Sequence, residues 1–130
     1  MTYLVLDLET VPDPTWSAPA DKPDAFGPPW SHVVVCAGWM VLDRGYVYRD
    51  AGVFVGDERT ILVDLSRFIS SLKPTVVTWN GRSFDLPVIN LRSFLHGVPC
   101  EWYYKERDVR YRYTEASHCD LMDVFSDYGA

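Results

Sequence analysis

Apolar and polar positions at the start of the chain predict a buried β-strand that ends in two carboxylates. Residues 3–10 read YLVLDLET, with apolar side chains around Asp7 and Glu9. Consecutive apolar residues early in this run suggest a strand covered on both faces, as the central strand of a mixed sheet would be. Because residues i and i+2 of a strand point to the same side, Asp7 and Glu9 should project together near its end.

The next apolar runs predict a hairpin and a helix. Residues 31–42 (SHVVVCAGWMVL) are typical of a largely buried strand, residues 43–45 form a tight turn, and residues 46–55 return as the second strand. Asp57 suits the N-cap of a helix, which Lys73-Pro74 ends. The apolar stripe of this helix consists of Ile61, Leu65, Phe68 and Leu72, flanked by Leu62 and Ile69.

A short buried strand over residues 75–79 precedes a second predicted helix. A turn containing Gly81 ends the strand, and Asp85 stands just before the helix. The apolar positions of this helix are Leu86, Ile89 and Phe94. Taken alone, Asp85 is a good N-cap and Asn80 a good turn residue. Residues 117–125 predict the start of a last helix.

A long surface loop is predicted between the first two strands. Residues 10–30 are rich in Pro and Asp, and proline cannot occupy the interior of a sheet. Long loops in small domains tend to be functional or mobile. Phe26 and Trp30 either pin this loop to the body of the domain or stack on a base, and pinning is the favoured role.

Aromatic and basic residues alternate late in the chain. Residues 102–113 include Arg110 and Arg112 among several tyrosines. This composition suits binding to a nucleic-acid strand, with phosphates on guanidinium groups and bases on rings. It suits an edge strand with one exposed face about equally well.

Composition and charge narrow the class of protein. The 130 residues are 48% hydrophobic and 15% aromatic, which predicts a single domain over residues 1–130 with a hydrophobic core. The net charge of −6 argues against coating nucleic acid by bulk electrostatics, although it permits an enzyme that grips a few nucleotides. Neither a membrane span nor a signal pattern is visible. Three cysteines without metal-type spacing indicate reduced thiols in a cytoplasmic protein.

The two carboxylates of the first strand suggest a metal site. Asp7 and Glu9 repel each other unless a cation lies between them, and a hard divalent ion such as Mg²⁺ or Mn²⁺ is the simplest choice. For an isolated pair of this kind, a strand that runs out into an acidic loop is the commoner explanation. However, Asp85 follows a later strand, and the order of elements suggests an α/β ribonuclease-H-like mixed sheet flanked by helices.

Ordered segments along the chain resemble the motifs of the DEDD (Asp-Glu-Asp-Asp) 3′–5′ exonuclease superfamily. Residues 7–10 (DLET) resemble its first motif, and residues 78–87 (TWNGRSFDLP) resemble its second. The form Asn-Gly-x-x-Phe-Asp-x-Pro is similar to the group related to the proofreading exonuclease domain of family B DNA polymerases. Residues 118–123 are similar to that group's segment between the second and third motifs. The resemblance spans nearly the whole chain.

The resemblance implies a two-metal phosphodiesterase site. Asp7, Glu9 and Asp85 would be its catalytic metal ligands, with Asp7 as the bridge between two Mg²⁺ or Mn²⁺ ions about 4 Å apart. The implied substrate-binding residues are Thr10, Asn80 and Phe84, with Arg110 and Arg112 as candidates from the basic stretch.

The chain departs from the family's pattern at the third motif, which carries the fourth acid and a Tyr or His on a later helix. Tyr104 and Asp108 have the tyrosine-type spacing, but their surroundings predict a strand. His118 and Asp123 have the histidine-type spacing, but they match the inter-motif segment, where Asp120 would cap a helix. We therefore expect a C-terminally truncated domain, with the fourth acid in a missing C-terminal segment or a second chain.

The expected function is metal-dependent 3′–5′ exonuclease activity, impaired by the missing ligand. The expected substrate is single-stranded nucleic acid or a 3′ end, with DNA favoured over RNA, and no membrane is expected as a partner. The alternative is a non-catalytic module that kept the fold and binds nucleic acid or a protein partner.

Overall fold

A five-stranded mixed sheet forms the centre of the molecule. The computed structural model describes residues 2–130, without the side chain of Arg107. The strands are β1 (Tyr3–Pro12), β2 (His32–Leu42), β3 (Tyr48–Phe54), β4 (Thr75–Thr78) and β5 (His118–Asp120). The helices are α1 (Glu58–Leu72), α2 (Asp85–Leu95), α3 (Glu101–Lys105), α4 (Arg107–Arg110) and α5 (Leu121–Phe125), with 3₁₀ turns at Pro29–Ser31 and Asp127–Gly129.

The strand order is β3-β2-β1-β4-β5. The first three strands along the chain pair antiparallel, whereas β4 runs parallel to β1 and β5 runs parallel to β4. This is the predicted α/β architecture, a ribonuclease-H-like mixed sheet flanked by helices, with β1 at its centre. Among residues 2–130, no helix is both long and apolar enough to cross a membrane.

One face of the sheet is covered by helices. Leu4, Leu6 and Leu8 of β1 are buried, at 0%, 2% and 6% exposure. Apolar side chains of both long helices complete this core, namely Ile61, Leu62, Leu65 and Ile69 of α1 and Leu86, Val88 and Ile89 of α2. The apolar side chains of β1, α1 and α2 therefore pack in one hydrophobic core, as predicted.

The other face is uncovered where the carboxylates lie, so the prediction of a strand covered on both faces was wrong. Asp7 and Glu9 are exposed, and Val5 is half-buried. Pairing with the neighbouring strands brings Met40, Val53 and Val77 to the same face, and Val53 is 54% exposed. We call this surface, from Tyr3 to Glu9 of β1 with Met40, Val53 and Val77, the open face. Its apolar residues explain why the sequence pattern predicted burial on both sides.

The hairpin and the first helix follow the sequence closely. The carboxylate of Asp57 caps α1 by accepting a hydrogen bond from the Thr60 N–H at 3.0 Å. Lys73 ends the helix in a left-handed conformation, with φ of 49°, immediately before Pro74. The first strand runs two residues further than predicted, because Val11 and Pro12 still pair with β2.

Two predictions in the last third of the chain were wrong. The basic aromatic stretch forms the short helices α3 and α4 instead of a strand, because Trp102 and Val109 anchor it in the core. The Trp102 ring N–H also donates to Ser66 Oγ at 3.2 Å. The segment expected to begin a helix at residue 117 first forms β5, and α5 begins only at Leu121.

Candidate active site

The site lies where β1 and β4 separate. These parallel strands pair only between Tyr3–Val5 and Thr75–Val77, so the edge of β1 is free at Leu8. The Leu8 N–H donates to Asp85 Oδ1 at 3.3 Å, although the two residues are 77 positions apart. Asp85 is 4% exposed, and this hydrogen bond holds its carboxylate beside Asp7. The strand and the start of α2 thus bring two of the predicted ligands together.

Burial and neighbouring charge change the acidity of Asp85. Burial, together with the negative charges of Asp7 and Asp120, raises the pKa of Asp85 to about 6, against the opposing hydrogen bonds from the N–H groups of Asp85 and Leu8. An opposite charge placed beside the two carboxylates would favour their ionised forms. The electrostatics of this position therefore favour a cation.

Asp85 is not the N-cap that its position alone suggested. It is the first residue of α2, and the N-cap position belongs to Phe84, whose side chain makes no capping hydrogen bond. The Asp85 carboxylate turns toward β1 instead. This hydrogen bond therefore joins the start of α2 to β1, where the other predicted ligands lie.

Glu9 shares the open face with Asp7, next to a β-bulge. Glu9 pairs with Cys36 and Thr10 pairs with Val34, which leaves Val35 as the extra residue of the bulge. Bulges next to active sites re-aim side chains. Glu9 is exposed and Thr10 is half-buried. Across residues 2–130, no three or more His, Cys, Asp or Glu side chains are arranged as a ready metal-ligand cluster, so Asp7, Glu9 and Asp85 do not form one here.

A buried carboxylate supports the turn that leads to Asp85. Asp120 accepts hydrogen bonds from the N–H groups of Asn80 at 2.8 Å, Arg82 at 3.0 Å and Met122 at 3.1 Å. It therefore caps α5, as predicted, and also fixes the turn after β4. Asn80 lies in the left-handed region, with φ of 60°, and its carbonyl accepts from the Phe84 N–H at 3.1 Å.

Gly81 follows in the same turn. A Cβ at this position would lie 2.3 Å from Thr78 Oγ1, so the tight turn requires glycine. This turn accounts for the backbone of Asn80 and Gly81 in the second motif, whereas the assignment of the Asn80 side chain to a nucleotide pocket remains a prediction.

His118 has a structural role. It is 0% exposed, and its Nε2 lies 2.8 Å from Thr78 Oγ1. The same hydroxyl oxygen accepts from the Gly81 N–H at 3.1 Å, so Thr78 Oγ1 links the His118 ring to the turn that contains Gly81. Burial lowers the pKa of His118 to about 4. Its buried Nδ1 has no hydrogen-bond partner among the described residues.

The two pairs with third-motif spacing are both engaged elsewhere. Tyr104 lies on a helix, contrary to the prediction, but its hydroxyl accepts from Asn90 Nδ2 at 2.7 Å. Asp123 binds Arg82 Nε at 3.0 Å and Arg112 Nε at 3.1 Å. The hydrogen bonds given for Tyr104, His118 and Asp123 thus go to residues other than the predicted metal ligands.

The predicted basic residues lie on and after α4. Arg112 is half-exposed and ion-paired with Asp123. Arg110 is exposed, with its guanidinium 5.8 Å and 5.2 Å from the ring centroids of Tyr103 and Tyr104. Among the described residues, the contacts given for Arg110 and Arg112 are with Tyr103, Tyr104 and Asp123, and none is with a predicted metal ligand.

Sequence reasoning missed Arg92, a charged residue on the buried side of α2. Arg92 is 6% exposed, and its guanidinium binds Glu58 Oε2 at 3.0 Å, Asp13 Oδ2 at 2.8 Å and the Trp30 carbonyl at 2.7 Å. We call these four residues the arginine clamp. An arginine on the same helical face as Val88 and Ile89 was the available signal, because buried charges are paired.

The clamp holds both ends of the loop that follows β1. The Asp13 N–H also donates to the Ser31 carbonyl at 2.8 Å. Hydrogen bonds from Thr15, together with Arg92, lower the pKa of Asp13 to about 2. Burial opposes ionisation of Glu58, but the hydrogen bonds from Arg92 and His96 outweigh it and lower the Glu58 pKa.

Comparison with known families identifies the fold and its relatives. Residues 32–130 match the family described as predicted 3′–5′ exonucleases related to the exonuclease domain of PolB. The chain belongs to this family. Asn80, Phe84 and Asp85 lie inside the matched residues, whereas Asp7 and Glu9 lie before them.

This chain matches only part of the length of each relative. DNA polymerase 1 of Aeropyrum pernix is 39% identical over 69 residues, which are 52% of this chain and 7% of that polymerase. The family B DNA polymerase of Pyrobaculum calidifontis has a similar fold, with a TM-score of 0.60 at 17% identity, covering 98% of this chain and 16% of that one. Escherichia coli exonuclease I in complex with a dT13 oligonucleotide gives 0.57 at 14% identity, covering 99% and 30%. The chain thus spans a small part of these relatives.

Proposed function

We propose that this chain is the core of a metal-dependent 3′–5′ exonuclease that acts on single-stranded nucleic acid, DNA in preference to RNA. The observation that carries the proposal is the buried Asp85 carboxylate, bound to the Leu8 N–H beside Asp7, with Glu9 on the same face of β1. Membership of a family related to polymerase exonuclease domains supports it. Exonuclease I, which shares the fold, has been crystallised with an oligonucleotide.

The residues present fit a hard divalent cation. Asp7, Glu9 and Asp85 offer only carboxylate oxygens, the ligands that Mg²⁺ and Mn²⁺ prefer. Two such ions, when bound, would polarise the scissile phosphate and lower the pKa of the attacking water. The raised pKa of Asp85 supports this assignment, because a cation would offset the repulsion from Asp7.

The chain's own residues prepare the site. The Leu8 N–H fixes one oxygen of Asp85, which leaves the other free as a ligand. Glu9 approaches from the bulge by a change of side-chain rotamer. Thr10 and Phe84 flank the carboxylates in sequence, and with Asn80 they position the terminal nucleotide in this proposal.

The fourth acid comes from a segment that packs on the open face. This face carries half-buried or exposed apolar side chains directly beside Asp7 and Glu9. A helix laid across it would bury those side chains and could bring an acid and a water-orienting Tyr or His to the site. We propose that residues 1–130 form one domain that such a segment completes, either from the same polypeptide or from a second chain.

We also propose a cytoplasmic location. Cys36, Cys100 and Cys119 are free thiols. Burial raises the pKa of Cys100 to about 12, which keeps that thiol protonated and unreactive. Reduced cysteines are usual in the cytoplasm.

The test is hydrolysis of a 5′-labelled single-stranded DNA oligonucleotide with Mn²⁺. We expect a ladder of products shortened from the 3′ end, and we expect Asp7→Ala to abolish it. Asp21→Ala is the matched control, because Asp21 is an exposed carboxylate of the loop after β1. A ladder that survives Asp7→Ala would contradict the proposal.

The alternative is a non-catalytic nucleic-acid-binding module. The observation that favours it is that Asp7, Glu9 and Asp85 do not form a ready three-ligand cluster within the described residues. Oligonucleotide binding without any ladder, with Mn²⁺ still bound through Asp7, would support this alternative.

A further inference from the structure

Three rings form a cluster around Phe84, the residue before Asp85. The Phe26 ring centroid lies 4.5 Å from that of His32 and 5.5 Å from that of Phe84. His32 and Phe84 meet edge to face at 5.1 Å. Phe26 is nevertheless 77% exposed, whereas His32 is 8% exposed. The outer ring of the cluster therefore offers most of its surface to solvent.

This exposed ring is held in place by its own loop. His32 Nε2 lies 3.0 Å from the carbonyl oxygen of Gly27, the residue next to Phe26. A Cβ on Gly27 would lie 2.1 Å from Ser31 Oγ, so the loop is closely packed there. The arginine clamp fixes the two ends of the same loop. Phe26 is thus ordered before any ligand arrives, which lowers the entropy cost of binding.

The cluster borders the carboxylates. Phe84 directly precedes Asp85, whose carboxylate is bonded to β1. His32 pairs with Pro12 at the end of the strand that carries Asp7 and Glu9. A strand of nucleic acid with its 3′ end at the carboxylates would therefore have bases within reach of these rings.

We propose that Phe26, resting on His32 and Phe84, is a stacking platform for a base near the 3′ end of the bound strand. This inference rests on the proposed exonuclease function and adds to it a residue from the proline-rich loop, which lies outside the matched family segment. Base stacking on an aromatic ring tolerates any base, as a nuclease without sequence preference requires.

The net negative charge of the protein is consistent with such a platform. With a net charge of −6, the chain gains little from bulk attraction to phosphates. Stacking provides affinity that does not depend on net charge. Phe26 also leaves most of its surface free for such a contact, unlike the core aromatic Trp102 at 6% exposure.

The experiment measures binding of a 5′-fluorescein-labelled dT oligonucleotide by anisotropy, with Ca²⁺ in place of Mn²⁺ to suppress hydrolysis. We expect Phe26→Ala to weaken binding roughly 5- to 100-fold, in line with the loss of one stacked base. Phe26→Leu should weaken it similarly, because leucine keeps an apolar contact but has no π face. Phe26→Trp should stay within about threefold of the wild type, since tryptophan also stacks.

Phe94→Ala is the matched control, because Phe94 is 82% exposed near the far end of α2 and should not change affinity. Oligonucleotides with a single abasic position, moved along the strand from the 3′ end, locate the stacked base. At that position the wild type and Phe26→Ala should bind equally well. Thermal melting of each variant checks that the fold is retained.

The outcomes separate this inference from the proposed function. In one outcome the wild type binds and degrades DNA in an Asp7-dependent way, but Phe26→Ala and Phe26→Leu bind the oligonucleotide as tightly as Phe94→Ala. The stacking proposal is then wrong, whereas the exonuclease proposal stands. If only Phe26→Ala weakens binding and Phe26→Leu does not, the ring serves loop packing and the platform is again overturned. If the wild type neither binds nor degrades DNA, both proposals fail.

Discussion

At the scale of single residues, Asp85 is a buried carboxylate at the proposed metal site. Its ionised form is disfavoured by burial and by Asp7, so the pKa rises from 3.8 to about 6. The folded state therefore binds a proton more tightly than the unfolded state does. The resulting stability is present at low pH and is lost as pH rises through about 6. The apo site is thus least stable under the conditions in which it would bind metal.

The substitution Asp85→Asn tests whether the ionised Asp85 carboxylate lowers the stability of the metal-free protein. Asparagine stays neutral and still offers an oxygen to the Leu8 N–H, so we expect the apo variant to be more stable than the wild type at pH 8, by roughly 1–3 kcal/mol. Urea unfolding at pH 5 and pH 8 measures the difference. Added Mn²⁺ should stabilise the wild type and not the variant. If the free energy of unfolding depended on pH equally in the two proteins, ionisation of Asp85 would not destabilise the fold. Asp21→Asn serves as the control.

At the scale of elements, the arginine clamp joins α1, α2 and the loop after β1. Arg92→Met would leave Glu58 and Asp13 without their cation. We expect the free energy of unfolding to fall by about 3–5 kcal/mol, the usual cost of breaking a buried ion pair. Arg59→Met is the matched control on exposed surface, where a change within about 0.5 kcal/mol is expected.

Urea denaturation gives both values, and limited proteolysis reports on the loop. Faster cleavage within residues 13–28 of Arg92→Met would show that the clamp orders this segment. A variant as stable and as resistant as Arg59→Met would mean that the ion pairs contribute nothing net.

The same elements show what could be predicted from the sequence. The first four strands, the hairpin and α1 follow from periodicity and from caps such as Asp57, because those signals act locally. The hydrogen bond between Asp85 and Leu8 was not predicted, and only the resemblance to a family placed Asp85 with Asp7, since a contact across 77 positions leaves no local pattern. Arg92 was missed although its place on the buried face of α2 was a local signal, and its partners Glu58 and Asp13 are 34 and 79 positions away. The basic aromatic stretch was predicted wrongly because alternating Arg and Tyr suggested a strand, whereas two buried anchors impose helices.

At the scale of the whole molecule, pH acts on stability through two buried groups of opposite effect. The neutral His118 ring gives stability that is present above its unfolded pKa of 6.5 and is lost as pH falls toward the folded value of about 4. The stability that comes from protonated Asp85 is instead lost as pH rises through about 6. In the wild type these two contributions offset each other across much of the same range, so its stability profile should be shallow.

The variant Asp85→Asn removes the contribution of Asp85 to the pH dependence of stability and leaves that of His118. In that background we expect the free energy of unfolding to fall by on the order of 2–3 kcal/mol between pH 7 and pH 4, with His118 as the main cause. Because β5 carries His118 and pairs with β4 next to the turn before Asp85, loosening there would disturb the site as well. Urea unfolding across this range measures the slope, and His118→Gln in the same background should flatten it. An unchanged slope in that double variant would assign the acid sensitivity to other groups.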